Sequence, residues 1–201
     1  MPTYLSQSAV TGLLLDPQSP ITFSYLRSLR IKFLSPTDLP IVIALVEASR
    51  ATLVNLFLGL MLLNPMHRTL LLPLYHLRCL HIQISNDSQH AQLFAWWINV
   101  FQMSEQGWRL EDVTIRLMLR GSMHTFHDTH LWSLLDAAIT RSCMRKLRTV
   151  KIDISFPPAL ALATETQELP GLIRLACPSM IAKALLHMKP NASGTSPVYI
   201  G

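Results

Sequence analysis

Glycine is scarce in this chain, 7 among 201 residues, and the few present are too dispersed for a P-loop or a dinucleotide-binding fingerprint. The Gly-x-Ser-x-Gly turn of a serine nucleophile is also absent. Cysteine is rarer still. Cys79, Cys143 and Cys177 are far apart and show no Cys-x-x-Cys spacing, which argues against a disulfide framework or a thiolate zinc site and for a reducing compartment. Charged residues make up only 14%, and Glu111-Asp112 is the one adjacent acidic pair. On a strand those two side chains point to opposite faces, a poor arrangement for paired acid and base work. Long apolar runs are missing too. The most hydrophobic stretch, from Leu53 to Leu77, is broken by Asn55, Asn64, His67, Arg68 and two prolines. Its uninterrupted pieces fall well below the roughly 18 residues that span a bilayer. The N-terminus lacks the basic and apolar blocks of a signal peptide. These absences predict an intracellular protein, cytoplasmic or nuclear, without a cofactor, a membrane partner or an enzymatic site.

What is present is hydrophobic residue in quantity, 50% of the chain, and a repeated spacing. Leu26-Arg-Ser-Leu29-Arg-Ile31 carries apolar residues at positions one, four and six. The spacing returns from Leu53 to Leu58, from Leu77 to Ile82, from Leu110 to Ile115 and from Leu147 to Ile152. Phe33, Ile84, Leu117 and Ile154 extend four of these hexads at position eight. Alternation at positions four, six and eight is the signature of a half-buried strand. The intervals of 27, 24, 33 and 37 residues between hexads each hold a strand, a helix and two turns.

Helical spacing fills most of the intervals. Residues 37–51 open at Thr37 or Asp38, 87–103 at Asp87 or Ser88, and 128–142 at Asp128, each a residue type suited to an N-cap. The stretch from Asn64 to Leu74 is short and proline-punctuated and reads as a loop or a 3₁₀ turn. Residues 156–170 read as a connecting loop with room for a helical turn, and Pro178 opens a last helix over 179–188 that Lys189-Pro190 stops. The predicted organisation is an irregular segment over 1–21, an α/β repeat domain over 22–155, a helical cap over 156–190 and a flexible tail over 191–201. A unit of this kind cannot bury its apolar face alone, so about five neighbours stack into a short arc of parallel inner strands and outer helices.

Residues between the buried strand positions then face away from the helices. The candidate partner-binding set on this concave face is Arg30 and Lys32, Phe57, His81 and Gln83, Asp112, Thr114 and Arg116, and Lys151 and Asp153. It mixes charge, hydrogen-bonding groups and an aromatic ring, as protein-recognition surfaces do. The densest basic cluster, Arg141, Arg145, Lys146, Arg148 and Lys151, reads as a helix C-terminus and the next strand's start rather than a nucleic-acid patch. The competing chemical reading is a metal-binding or metal-dependent site at His124, His127 and His130, where three imidazoles fall within seven residues of one another. The plainer reading of that stretch is a polar loop entering the helix at Asp128.

The stretch LWSLLDAAITRSCMRKLRTVKIDI, from Leu131 to Ile154, together with LRCLHIQIS and WRLEDVTIRL, resembles the leucine-rich-repeat region of the F-box-like protein family of mushroom-forming fungi. The resemblance covers roughly residues 22–190. It implies a protein-interaction role, substrate recognition for ubiquitination, in which a helical F-box ahead of the repeats docks a ubiquitin-ligase adaptor. The first 25 residues show no such module, so the resemblance implies adaptor binding only through an F-box outside this chain.

Overall fold

Each hexad delivers a strand, because its alternation gives one face to bury and one to leave in contact with water. The computed structural model describes residues 25–35, 37–62, 69–74, 76–85, 90–102, 109–119, 126–141, 144–157 and 164–191. Within them β1 (Ser28–Leu34), β2 (Asn55–Met61), β3 (Cys79–Ser85), β4 (Asp112–Met118) and β5 (Thr149–Ser155) lie parallel and in chain order. Position four of the hexads is in register throughout: Leu29, Leu56, Leu80, Val113 and Val150 pair across the sheet.

A recurring backbone junction sets that register. The carbonyl of Arg27, at hexad position two, accepts from Val54 N and Asn55 N at 2.9 and 3.0 Å. The Val54 carbonyl accepts from Arg78 N and Cys79 N at 2.9 and 3.1 Å. The pattern repeats from Arg78 to Glu111 and Asp112, and from Glu111 to Arg148 and Thr149. Each acceptor uses both lone pairs on the next unit, so neighbouring strands cannot slip by one residue without losing two bonds. Position one seals the same end of the core: Leu53, Leu77, Leu110 and Leu147 are all buried.

The helices are α1 (Leu39–Ala48), α2 (His90–Gln102), α3 (Thr129–Ile139), α4 (Thr164–Ala176) and α5 (Pro178–Ala182). They share one hydrophobic cluster with the inward strand residues, so all of them cover the same side of the sheet. Crossovers of uniform hand between strands in sequence order have that result. Asp128 is the expected N-cap of α3, accepting from His130 N at 2.9 Å and Leu131 N at 3.4 Å. No described helix separates β2 from β3. There Leu72 and Leu74 fill the core from an irregular segment, which Trp96 pins by donating from Nε1 to the Leu70 carbonyl at 2.9 Å. Both Trp96 and Trp97 are core residues, packed edge to face.

The architecture is therefore the expected α/β arrangement of parallel strands and helices, and it departs from expectation in three places. The first is α4, a helix of 13 residues where the sequence suggests a connecting loop with at most a helical turn. Its internal Pro170 lacks an N–H and typically costs about 3 kcal/mol. Leu169, Ile173 and Ala176, spaced along one face, are buried and offset that penalty.

The second lies between 179 and 188, where one long helix was expected. The helix ends at Ala182, and Leu186–Asn191 forms a sixth strand, β6, parallel to β5. Ala184 adopts a left-handed φ of 54°, with Ala184 N bonded to Ile181 O and Leu185 N to Met180 O. That pair of bonds is a Schellman closure, here with alanine where glycine is usual. The start of α5 is fixed from outside. The Asp136 carboxylate in α3 accepts from Ser179 N at 3.0 Å and Met180 N at 2.7 Å. Charge-assisted bonds of this kind contribute about 1.5–3 kcal/mol.

The third departure is at position eight of the first unit. Phe33 is 55% exposed, while its neighbour Leu34 is in the core. In β2 the same shift leaves Leu60 outside the core and buries Met61. The change of parity falls at Lys32 and Gly59, the one row at which the β1–β2 pairing is interrupted. A Cβ on Gly59 would stand 2.1 Å from the Lys32 carbonyl oxygen, so only glycine permits this approach. Gly59→Ala is expected to lower the unfolding free energy by about 1–3 kcal/mol in denaturant titrations. An unchanged midpoint would contradict the close approach of the two strands.

Candidate functional site

An all-parallel sheet normally has both faces covered. Here the helices occupy one, and among the described residues no element lies over the other. Alternation turns hexad positions three, five and seven to that face. Ser28, Asn55, Cys79, Asp112 and Thr149 pair in one row, and Arg30, Phe57, His81, Thr114 and Lys151 in the next. Gln83, Arg116 and Asp153 pair in a third.

A groove of about 380 Å³ crosses these rows. Of the expected binding residues it is lined by Arg30, Phe57, His81, Thr114, Arg116, Lys151 and Asp153. Ser28, Asn55 and Leu56 complete its wall. Lys32, Gln83 and Asp112 belong to the same strands but not to the groove. Lys32 stands at the interrupted row, and Asp112 faces the Cys79 thiol at 3.9 Å.

The groove is built from cross-strand contacts. The Arg30 guanidinium sits 4.6 Å over the Phe57 ring, a cation–π contact, and Phe57 meets His81 at 6.1 Å between centroids. At the far end Asp153 is only 7% exposed. Lys151 Nζ lies 3.1 Å from its Oδ1 and 3.3 Å from its Oδ2, with hydrogen-bond geometry only to Oδ2. Arg116 approaches Asp153 Oδ2 at 3.9 Å. Three cations thus share the groove with one carboxylate, and the site is electropositive around a buried acidic floor.

β6 adds two outward residues, His187 from the expected helix over 179–188 and Lys189 from its expected stop. His187 pairs with Lys151 and Lys189 with Asp153, and both are exposed. The alternation Leu186, Met188 on one side and His187, Lys189 on the other was the available signal.

The other candidate groups are dispersed. His124 lies outside the described residues. His130 is exposed in the first turn of α3, Asp128 is occupied as its cap, and the half-buried His127 has an Nε2 with no hydrogen-bond partner among the described residues. Among the described residues no three His, Cys, Asp or Glu side chains converge as a metal site would need. The basic cluster divides. Arg141 donates to the Gln102 carbonyl at the end of α2, where a cation suits the helix dipole, and Lys151 stands in the groove. Cys177 is structural: its thiol donates to the Trp132 carbonyl, and burial, with Asp136 nearby, pushes it up to about 12. No described helix is long and apolar enough to cross a membrane.

Comparison of the chain with protein families, with curated proteins and with solved structures gives no match.

The groove's electrostatics are readable at His81. Its imidazole is held below the ordinary value of 6.5, first by burial and then by the charges of Arg116 and Lys151. The unfolded chain therefore binds this proton more readily than the folded one, so stability rises with pH from the lowered value up to 6.5. An NMR titration of the His81 ring is expected to give a midpoint below 6.5, moving partway back in Arg116→Gln. A midpoint at or above 6.5 in the native chain would contradict the cationic groove.

Proposed function

We propose that this protein is a non-enzymatic interaction scaffold that binds a partner protein on the helix-free face of its sheet. The observation that carries the reading is the sheet face that none of the described elements covers. A parallel sheet leaves a face uncovered at the expense of a second apolar layer, and stacked repeat units do so while presenting a continuous row of variable side chains. That row here contains an aromatic, three cations, a carboxylate and hydroxyl groups, the mixture found at recognition surfaces. The finer reading follows the resemblance of Leu131–Ile154 to the repeat region of fungal F-box-like proteins. It makes the chain a substrate-recognition module of a ubiquitin-ligase receptor in the cytoplasm or nucleus, with adaptor docking supplied from outside this chain.

Affinity capture from a lysate of a mushroom-forming fungus tests both levels, using the native chain beside Arg116→Glu/Lys151→Glu. The scaffold reading predicts proteins retained by the native chain and lost by the charge-reversed one. Identical capture by both would remove the open face as the binding surface. The ligase reading predicts that proteins retained from a lysate prepared with the proteasome inhibited carry ubiquitin conjugates, and retained proteins without them remove that part alone.

A further inference from the structure

We propose that the groove takes an extended acidic segment of a partner protein, placing one of its carboxylates on the Arg116 guanidinium and donating a peptide N–H to Asp153 Oδ1. The inference rests on the scaffold reading above and supplies its ligand chemistry.

Asp153 is the central observation. It is more than nine-tenths buried, lines the groove, and its Oδ1 has no hydrogen-bond donor among the described residues. A buried carboxylate oxygen in that condition carries a desolvation penalty, and a peptide N–H relieves it by taking the place of the part-exposed Lys151 ammonium, which stands 3.1 Å from Oδ1 and has to swing aside to admit it. Lys151 offsets the charge of Asp153 without completing its hydrogen bonding. The ion pair from Arg116 is 3.9 Å long, beyond hydrogen-bond reach, so the planar fork keeps its capacity for two parallel bonds to an incoming carboxylate.

The dimensions agree. Arg30 and Lys151 lie in one row, four strand spacings or roughly 19 Å apart, a span of about six extended residues. Cations at both ends match an acidic segment, and the Phe57 ring between them offers an apolar contact. A peptide brings N–H donors and carboxylates together. A nucleic-acid strand carries a charge on every phosphate, which Asp153 and Asp112 repel, and its N–H donors sit on the bases rather than along the backbone that tracks the cations.

Fluorescence anisotropy with the full chain tests the assignment. The probes are a labelled peptide of about eight alternating glutamates and serines, its glutamine counterpart, and an oligothymidylate of about ten nucleotides. The glutamate peptide is expected to bind at least about tenfold tighter than the glutamine one, and Arg116→Gln to remove about tenfold. Asp153→Asn is expected to weaken the glutamate peptide although it removes a negative charge. Thermal melts of both variants confirm that each is compared as a folded protein. Equal binding of the two peptides, tighter peptide binding by Asp153→Asn, or preference for the oligothymidylate would overturn the proposal. If neither peptide binds while charge reversal still abolishes protein capture, the scaffold reading stands and the acidic-segment assignment falls.

Discussion

The structure depends on one backbone contact, repeated. The carbonyl at hexad position two accepts two N–H groups from the following unit, from Arg27 through Glu111. This contact fixes neighbouring strands at the same phase, so rows three, five and seven fall on one face and the leucine, valine and isoleucine rows four and six on the other. The buried rows then contribute the usual 1.5–3 kcal/mol or so per fully buried aliphatic side chain. The exposed rows are left free to vary chemically. Core and recognition surface are two consequences of a single register.

Because that register is so regular, its interruption is informative. At Lys32 and Gly59 the backbones approach too closely for a side chain, and the inward set moves on by one residue. Phe33 and Leu60 are displaced from the core there, while Leu34 and Met61 enter it. The groove begins just below this point and runs toward β5. The far end of the sheet is held by a different device. Asp136 reaches across from α3 to cap α5, and the left-handed Ala184 turns the chain into β6.

Much of this was legible in the sequence because the hexad encodes period two directly. The strands, the three long helical segments before residue 140 and the Asp128 cap follow from local spacing and local capping chemistry. β6 is masked in the sequence because Lys183 stands where the other units have an apolar residue, and because Leu185-Leu186 continues a helical pattern. α4 escaped notice because Pro170 is a strong local stop signal that only tertiary burial of Leu169 and Ile173 overrides. Phe33 was misplaced by the same rule that placed Ile84 and Leu117, since the clash at Gly59 belongs to a pair of strands and not to either one. In the groove, alternation identifies which side chains face outward. The burial of Asp153 beneath Lys151 and Arg116 arises between strands, and no linear spacing carries it.

Among the described residues one face of this parallel sheet is open while helices seal the other. Native-state alkylation of single cysteines placed along β4, located by peptide mass mapping, tests it most directly. Thr114→Cys and Arg116→Cys are predicted to react as accessible thiols, while Val113→Cys and Ile115→Cys react only after denaturation. Equal protection at all four positions would mean that both faces are covered, and the account would be wrong.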